Sequence, residues 1–160
     1  MDEVVRNYRP SRVLEVGTLV GYSAIRMGRH MTPGQRITCI EKNDQIAKVA
    51  RENVAKAGLS DRIEVVVGDA KEVLPRLRGP YDMVFLDASK EEYLDYLKAV
   101  EGLMGKGGVV VADNVKSFGG VLGKYLTYVR GSGRYKSAYR EFPPNPWQDE
   151  GDAVEVSVRV

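Results

Sequence analysis

Five short apolar runs, each followed by a helical pattern, limit what this chain can fold into more than any other feature. The runs are Arg12–Val16, Arg36–Glu41, Arg62–Val67, Asp82–Leu86 and Gly108–Asp113. Each is nearly continuously apolar, as expected of strands covered on both faces. Between them the apolar spacing becomes helical. Asp44–Gly58 sets Ile46, Ala50, Val54 and Ala57 on one stripe, with Gly58 as a stop signal. Glu91–Met104 repeats this with Tyr93, Leu97, Val100 and Met104, and Phe118–Val129 with Leu122, Tyr125, Leu126 and Val129. Such alternation predicts a parallel sheet with helices on both faces. It stops near the end of the chain. Arg134–Phe142 and Ala153–Val160 read as consecutive strands around a Pro-rich connection, Pro143–Trp147, and predict an antiparallel hairpin. The expected architecture is α/β, a mainly parallel seven-stranded sheet ending in that hairpin. At 160 residues, 1–160 reads as a single domain.

Composition removes several function classes. Net charge is +2 with both signs interspersed, so no basic arm argues for nucleic acid. The one cysteine, Cys39, lies inside an apolar run, which excludes a disulfide framework and a cysteine zinc site. The charged start, MDEVVRNYRP, has no apolar signal region, and no run approaches the roughly 20 residues of a membrane span. A cytoplasmic protein without membrane association is expected.

In open sheets of this kind, ligands bind beyond the carboxyl ends of the strands. The first strand runs into Glu15-Val16-Gly17-Thr18-Leu19-Val20-Gly21-Tyr22-Ser23, where a helix begins. Gly17 and Gly21 let the backbone turn sharply and approach a ligand. They stand four apart and do not form G-x-G-x-x-G, so a dinucleotide pyrophosphate, and with it a nicotinamide dehydrogenase, fits poorly. Glu15 suits a ligand with a positively charged amino-acid portion; the plain alternative is an ordinary strand–helix turn. Glu41 closes the second strand, where an acid can hold both hydroxyls of a ribose or simply be a solvated strand end. Asp69 follows the third, suited to an adenine edge and equally to capping a helix over Lys71–Leu77.

The fourth run ends in Leu86-Asp87-Ala88-Ser89-Lys90 and the fifth in Ala112-Asp113-Asn114. If these strands are neighbours, Asp87, Asp113 and Asn114 converge. Three oxygen donors without His or Cys describe a Mg²⁺-like site. Each residue alone also reads as a turn or cap. Ser89 and Glu92 form the capping-box pattern S-x-x-E, which predicts a helix from Ser89 with Lys90 in its first turn. A helix N-terminus and a nearby cation both push a lysine pKa down, towards use as a general base. The alternative is a solvated lysine.

These segments resemble the metal-dependent catechol O-methyltransferase-like family of class I methyltransferases, which includes the caffeoyl-coenzyme A O-methyltransferases. The motifs that carry the resemblance are VLEVGTLVGYSAIRM, CIEKN, VVVGDA, YDMVFLDASKEEYLDYL and VVVADNV, in family order over almost the whole chain. LDASK followed by ADNV is the most specific pair. The resemblance implies a Rossmann-like class I methyltransferase fold and S-adenosylmethionine as cofactor. It implies that Glu15, Gly17, Thr18, Gly21 and Ser23 surround the cofactor's methionine end, that Glu41 takes the ribose, and that Asp69 and Ala70 border the adenine. Asp87 borders the cofactor as well and, with Asp113 and Asn114, holds Mg²⁺ or another divalent cation. Lys90 is the implied base, and the acceptor is a small aromatic molecule with vicinal hydroxyls. Family members also carry lid helices before the first strand, whereas about ten residues precede Arg12 here. Either the lid is absent, or it has been trimmed away, or another subunit covers the site, and an exposed apolar site makes a homodimer one of the readings. The vertebrate enzyme has a tryptophan before its lysine, where Ser89 stands here. Phe118 and Trp147 are candidates for an aromatic wall or for plain packing. Two further readings stay open: methyl transfer to RNA or protein, and a non-catalytic nucleoside-binding domain.

Overall fold

The structure is a computed structural model and describes residues 1–144 and 151–160. Trp147 therefore lies outside the described residues. The elements are α1 (Asp2–Tyr8), β1 (Arg12–Val16), α2 (Tyr22–Gly28), β2 (Arg36–Glu41), α3 (Asp44–Lys56), β3 (Ile63–Val67), α4 (Ala70–Val73), β4 (Tyr81–Leu86), α5 (Tyr93–Glu101), β5 (Met104–Ala112), α6 (Gly123–Gly131), β6 (Tyr135–Glu141) and β7 (Ala153–Arg159). The sheet order is β3-β2-β1-β4-β5-β7-β6. The first five strands are parallel, and β7 runs antiparallel between β5 and β6. This is the seven-stranded, hairpin-closed sheet that the alternation predicts. Strand order reverses between β1 and β4, which opens a crevice at their carboxyl ends.

Strand pleating divides the apolar residues between two cores. Leu14, Val16, Val84, Leu86, Val110 and Ala112 face α5 and α6, where Tyr93, Leu97, Tyr125 and Val129 meet them. Val13, Met83, Phe85, Val109 and Val111 face the other way, towards Ala24, Met27, Ala47 and Ala50 of α2 and α3. Burying one such side chain contributes roughly 1.5–3 kcal/mol. Nearly continuous apolar strands are thus the direct consequence of helices on both sides. No helix among the described residues is long and apolar enough to cross a membrane.

Several boundaries depart from the sequence expectation. The segment before β1 forms α1, whose Val5 is buried against the α2 side of the sheet. Helix Phe118–Val129 starts later, at Gly123, after turns through residues 115–122. Gly119 and Gly120 disfavour a helix there, and Asp152 holds the turn that precedes them through the Lys116 and Ser117 amides. Met104 belongs to β5, not to the preceding helix, because it pairs with Tyr81. The helix at Lys71–Leu77 is one α turn followed by a 3-10 turn, Leu74–Arg76, built around Pro75.

Candidate active site

A cavity of about 800 Å³ opens along the carboxyl ends of β1, β2, β3, β4 and β5. Gly17, Thr18 and Ser23 line it from the first loop, and Glu41, Asp69 and Ala70 from the ends of β2 and β3. Asp87, Lys90 and Asp113 line its other end. Glu15, Gly21 and Asn114 sit behind these surfaces rather than on them, each for a local reason.

Glu15 lies on β1 with the parity of Val13, so the pleat turns it to the α2 side beside Cys39 and Phe85. It is fully buried. Its two oxygens accept the hydroxyls of Thr18 and Ser23, which fold the loop back over the strand. Burial pushes the Glu15 carboxyl up, against the pull of the Ser23 and Thr18 hydroxyls and the Cys39 thiol. Glu15 therefore shapes the wall that Thr18 and Ser23 present. Gly17 has φ +89, and a Cβ there would lie 2.3 Å from the Asp87 carbonyl oxygen. The loop after β1 and the end of β4 touch at this point, which only glycine allows. Gly21, with φ 86, takes the N-cap position of α2.

Glu41 accepts the Leu19 amide on Oε2 at 3.0 Å and the Asn43 amide on Oε1 at 2.9 Å. A carboxylate has about four acceptor positions, so it keeps capacity for a diol. Asp69 caps α4 through the Lys71 amide at 2.8 Å while lining the cavity. Both of its expected roles are geometrically compatible.

At the far end, Lys90 Nζ donates to Asp87 Oδ1 at 2.8 Å and to the Tyr93 hydroxyl at 2.7 Å. The Tyr93 and Phe118 rings lie 5.1 and 5.8 Å from the same nitrogen. Lys90 does start a helical turn, the 3-10 segment Lys90–Glu92, but the capping box is absent. The Ser89 side chain makes no cap bond; Glu92 instead pairs with Lys71 at 2.6 Å and accepts the Tyr96 hydroxyl. Burial, and then the charge of Asp87, push Asp113 up to about 6. Two carboxylates with one lysine leave this patch short of positive charge. Its acceptor atoms are all oxygen, the donor type that hard divalent cations take. Asn114 follows with φ 62, and its amide nitrogen donates to Asp152 Oδ2 at 3.1 Å. Sequence reading missed Asp152 and the role of Tyr93. The helical stripe that marks Tyr93 as core gives no sign of its hydroxyl, and Asp152 lies 38 residues from its partner.

A family model described as O-methyltransferase matches residues 4–128. A catechol O-methyltransferase of Sus scrofa is 42% identical over 153 residues, covering 89% of this chain and 81% of that protein. Catechol O-methyltransferase B of Danio rerio is 41% identical over 146 residues, covering 87% of this chain but 54% of the relative. The chain thus spans about half the length of some relatives it matches. The O-methyltransferase TomG of Streptomyces achromogenes, solved in complex with SAM, superposes with a TM-score of 0.91 at 27% identity, over 99% of this chain and 77% of that one. On the family match and on these identities, the chain belongs to the O-methyltransferase family.

Proposed function

We propose that this chain transfers a methyl group from S-adenosylmethionine to one hydroxyl of a small catechol-like acceptor, with a divalent cation held by Asp87, Asp113 and Asn114. The observation that carries the reading is Lys90 Nζ, held by Asp87 and Tyr93 on the cavity wall beside Asp113. S-adenosylmethionine supplies an electrophilic methyl group, and a bound divalent cation lowers the pKa of a hydroxyl that it coordinates.

The chain's own residues do the rest. Thr18, Ser23 and Gly17 receive the amino-acid end of the cofactor, Glu41 accepts from the ribose hydroxyls, and Asp69 with Ala70 borders the base. Asp87 and Asp113 draw a cation to the acceptor end. Lys90 takes the proton from the acceptor hydroxyl at Nζ. Phe118, 45% exposed and beside Lys90, offers an apolar face to an aromatic ring. Holding the reactants in line supplies much of the remaining acceleration.

The test is turnover of catechol with S-adenosylmethionine and Mg²⁺, with the methylated product measured by mass spectrometry. Turnover that EDTA abolishes and Mg²⁺ restores is the expected result. Full turnover in EDTA would remove the cation from the mechanism. No turnover alongside tight S-adenosylmethionine binding would favour a different acceptor, such as RNA or protein.

A further inference from the structure

We infer that Asp152 is a positioning residue for the cation site: by holding the nitrogen of the Asn114 amide, it decides that the oxygen is the end offered to the metal. This rests on the cation reading proposed above.

The placement follows from the topology. β7 pairs antiparallel with β5, with Ala112 opposite Glu155. The residue that leads into β7 therefore arrives beside the turn that leaves β5. The Val115 amide donates to the Ala153 carbonyl at 2.9 Å and ties the two segments together. Asp152 is 4% exposed. Its Oδ2 accepts Asn114 Nδ2 at 3.1 Å and the Ser117 hydroxyl at 2.8 Å. Its Oδ1 accepts the amides of Lys116 and Ser117, each at 3.2 Å, and of Ala153 at 2.7 Å.

A side-chain amide has two chemically opposite ends at nearly the same position. The nitrogen only donates and the oxygen only accepts. An ionised carboxylate only accepts, so Asp152 can receive only the nitrogen. Among the described residues, the hydrogen bond that fixes the Asn114 side chain is this one, which leaves the oxygen for a cation. The backbone adds a second constraint: φ 62 is left-handed, a region in which Asn is among the few side chains readily accepted. An acid at position 114 would set one carboxylate against another. Asn114 thus meets three requirements at once: a left-handed backbone, a donor for Asp152 and an oxygen for a metal.

The experiment is Mn²⁺ binding to the whole chain, by electron paramagnetic resonance and calorimetry, without cofactor or acceptor. Thermal midpoints are recorded for each variant. Wild type binds Mn²⁺, and D113N loses it. D152N weakens binding by about 10–100-fold, the range for residues that orient metal ligands. The exchange variant N114D/D152N, in which amide and carboxylate trade places at constant net charge, recovers most of the loss. S117A removes one Asp152 bond without touching the amide and binds as wild type does. D152N binding within about two-fold of wild type overturns the inference. So does an S117A loss as large as that of D152N, since Asp152 would then act only by bracing the turn. If D152N does not fold, an exchange variant that folds and binds within about three-fold of wild type supports the inference, and one that folds without binding overturns it. Failure of wild type to bind Mn²⁺, or D113N binding as wild type does, removes the cation reading and this inference together. Normal behaviour of both with unaffected D152N removes this inference alone.

Discussion

The loop after β1 and the patch beyond β4 and β5 face one cavity, but their charges are settled in opposite ways. At the loop, the chain satisfies itself: Glu15 receives the Thr18 and Ser23 hydroxyls, and both Glu41 oxygens receive backbone amides. At the patch, Asp87 and Asp113 share the single positive charge of Lys90, and Asp113 is held up near 6 by burial and by Asp87. One end is a finished mould. The other is left incomplete in charge, and it is there that we propose the cation and the acceptor hydroxyl bind. Preorganised binding and unfinished electrostatics are different uses of buried carboxylates.

The comparison can be broken or sharpened by experiment. The largest effect is expected from Lys90→Met. Loss of the general base that we propose Lys90 to be costs about 10²–10⁴-fold in kcat. Because Lys90 belongs to the unfinished end, S-adenosylmethionine affinity should stay near wild type, and equal losses in both would merge the two regions into one unit. Gly17→Ala attacks the point where the regions touch. Left-handed strain of about 1–3 kcal/mol adds to the clash with the Asp87 carbonyl, so urea denaturation should show a loss of at least about 2 kcal/mol. An unchanged midpoint would mean that the β4 end yields freely.

Glu15→Gln probes the finished end. Gln keeps one acceptor and sets an amide donor against the other hydroxyl, which can turn to accept it, so the loss is the charge assistance of these bonds, about 1 kcal/mol. Affinity for S-adenosylmethionine, read by calorimetry, should fall severalfold while Mn²⁺ affinity does not move. A parallel loss of Mn²⁺ would break the separation. The smallest effect is a pH dependence at the far end of α5. Burial opposes the charge of Glu101, but the Tyr128 and Tyr135 hydroxyls and the Arg134 and Lys98 cations outweigh it and hold its pKa below 4.5. A depressed carboxylate contributes stability above its unfolded pKa that is lost as pH falls through the folded value. Thermal midpoints should therefore drop below about pH 4.5, and Glu101→Gln should flatten that slope. An unchanged slope would remove Glu101 as its source.

Much of this could be read before any coordinates. Strand identity was legible because each run is short, apolar and β-branched, and because helices on both faces demand that composition. Glu41, Asp69, Asp87, Lys90 and Asp113 were legible as cavity-lining residues because each ends or follows such a run, and the strand ends of a doubly wound sheet meet at one crevice. The capping box at Ser89 misled because a local pattern lost to longer-range partners: Glu92 is drawn to Lys71, which precedes it by a whole strand. The start of α6 was misplaced because the apolar spacing runs on through Gly119 and Gly120, while Asp152, far along the chain, holds the turn before them through the Lys116 and Ser117 amides.

The sequence alone determined the α/β alternation, the hairpin at the end, the residues at the strand ends and the family. These depend on spacing within a few residues, where periodicity and turn chemistry act. Tertiary structure decided which carboxylates face the cavity and which lie behind it. Glu15 sits under the loop because the pleat turns it towards α2, and the Asn114 amide is oriented because β7 returns beside β5 and delivers Asp152. Pairing across such distances depends on how strands are ordered in space, which no local pattern encodes.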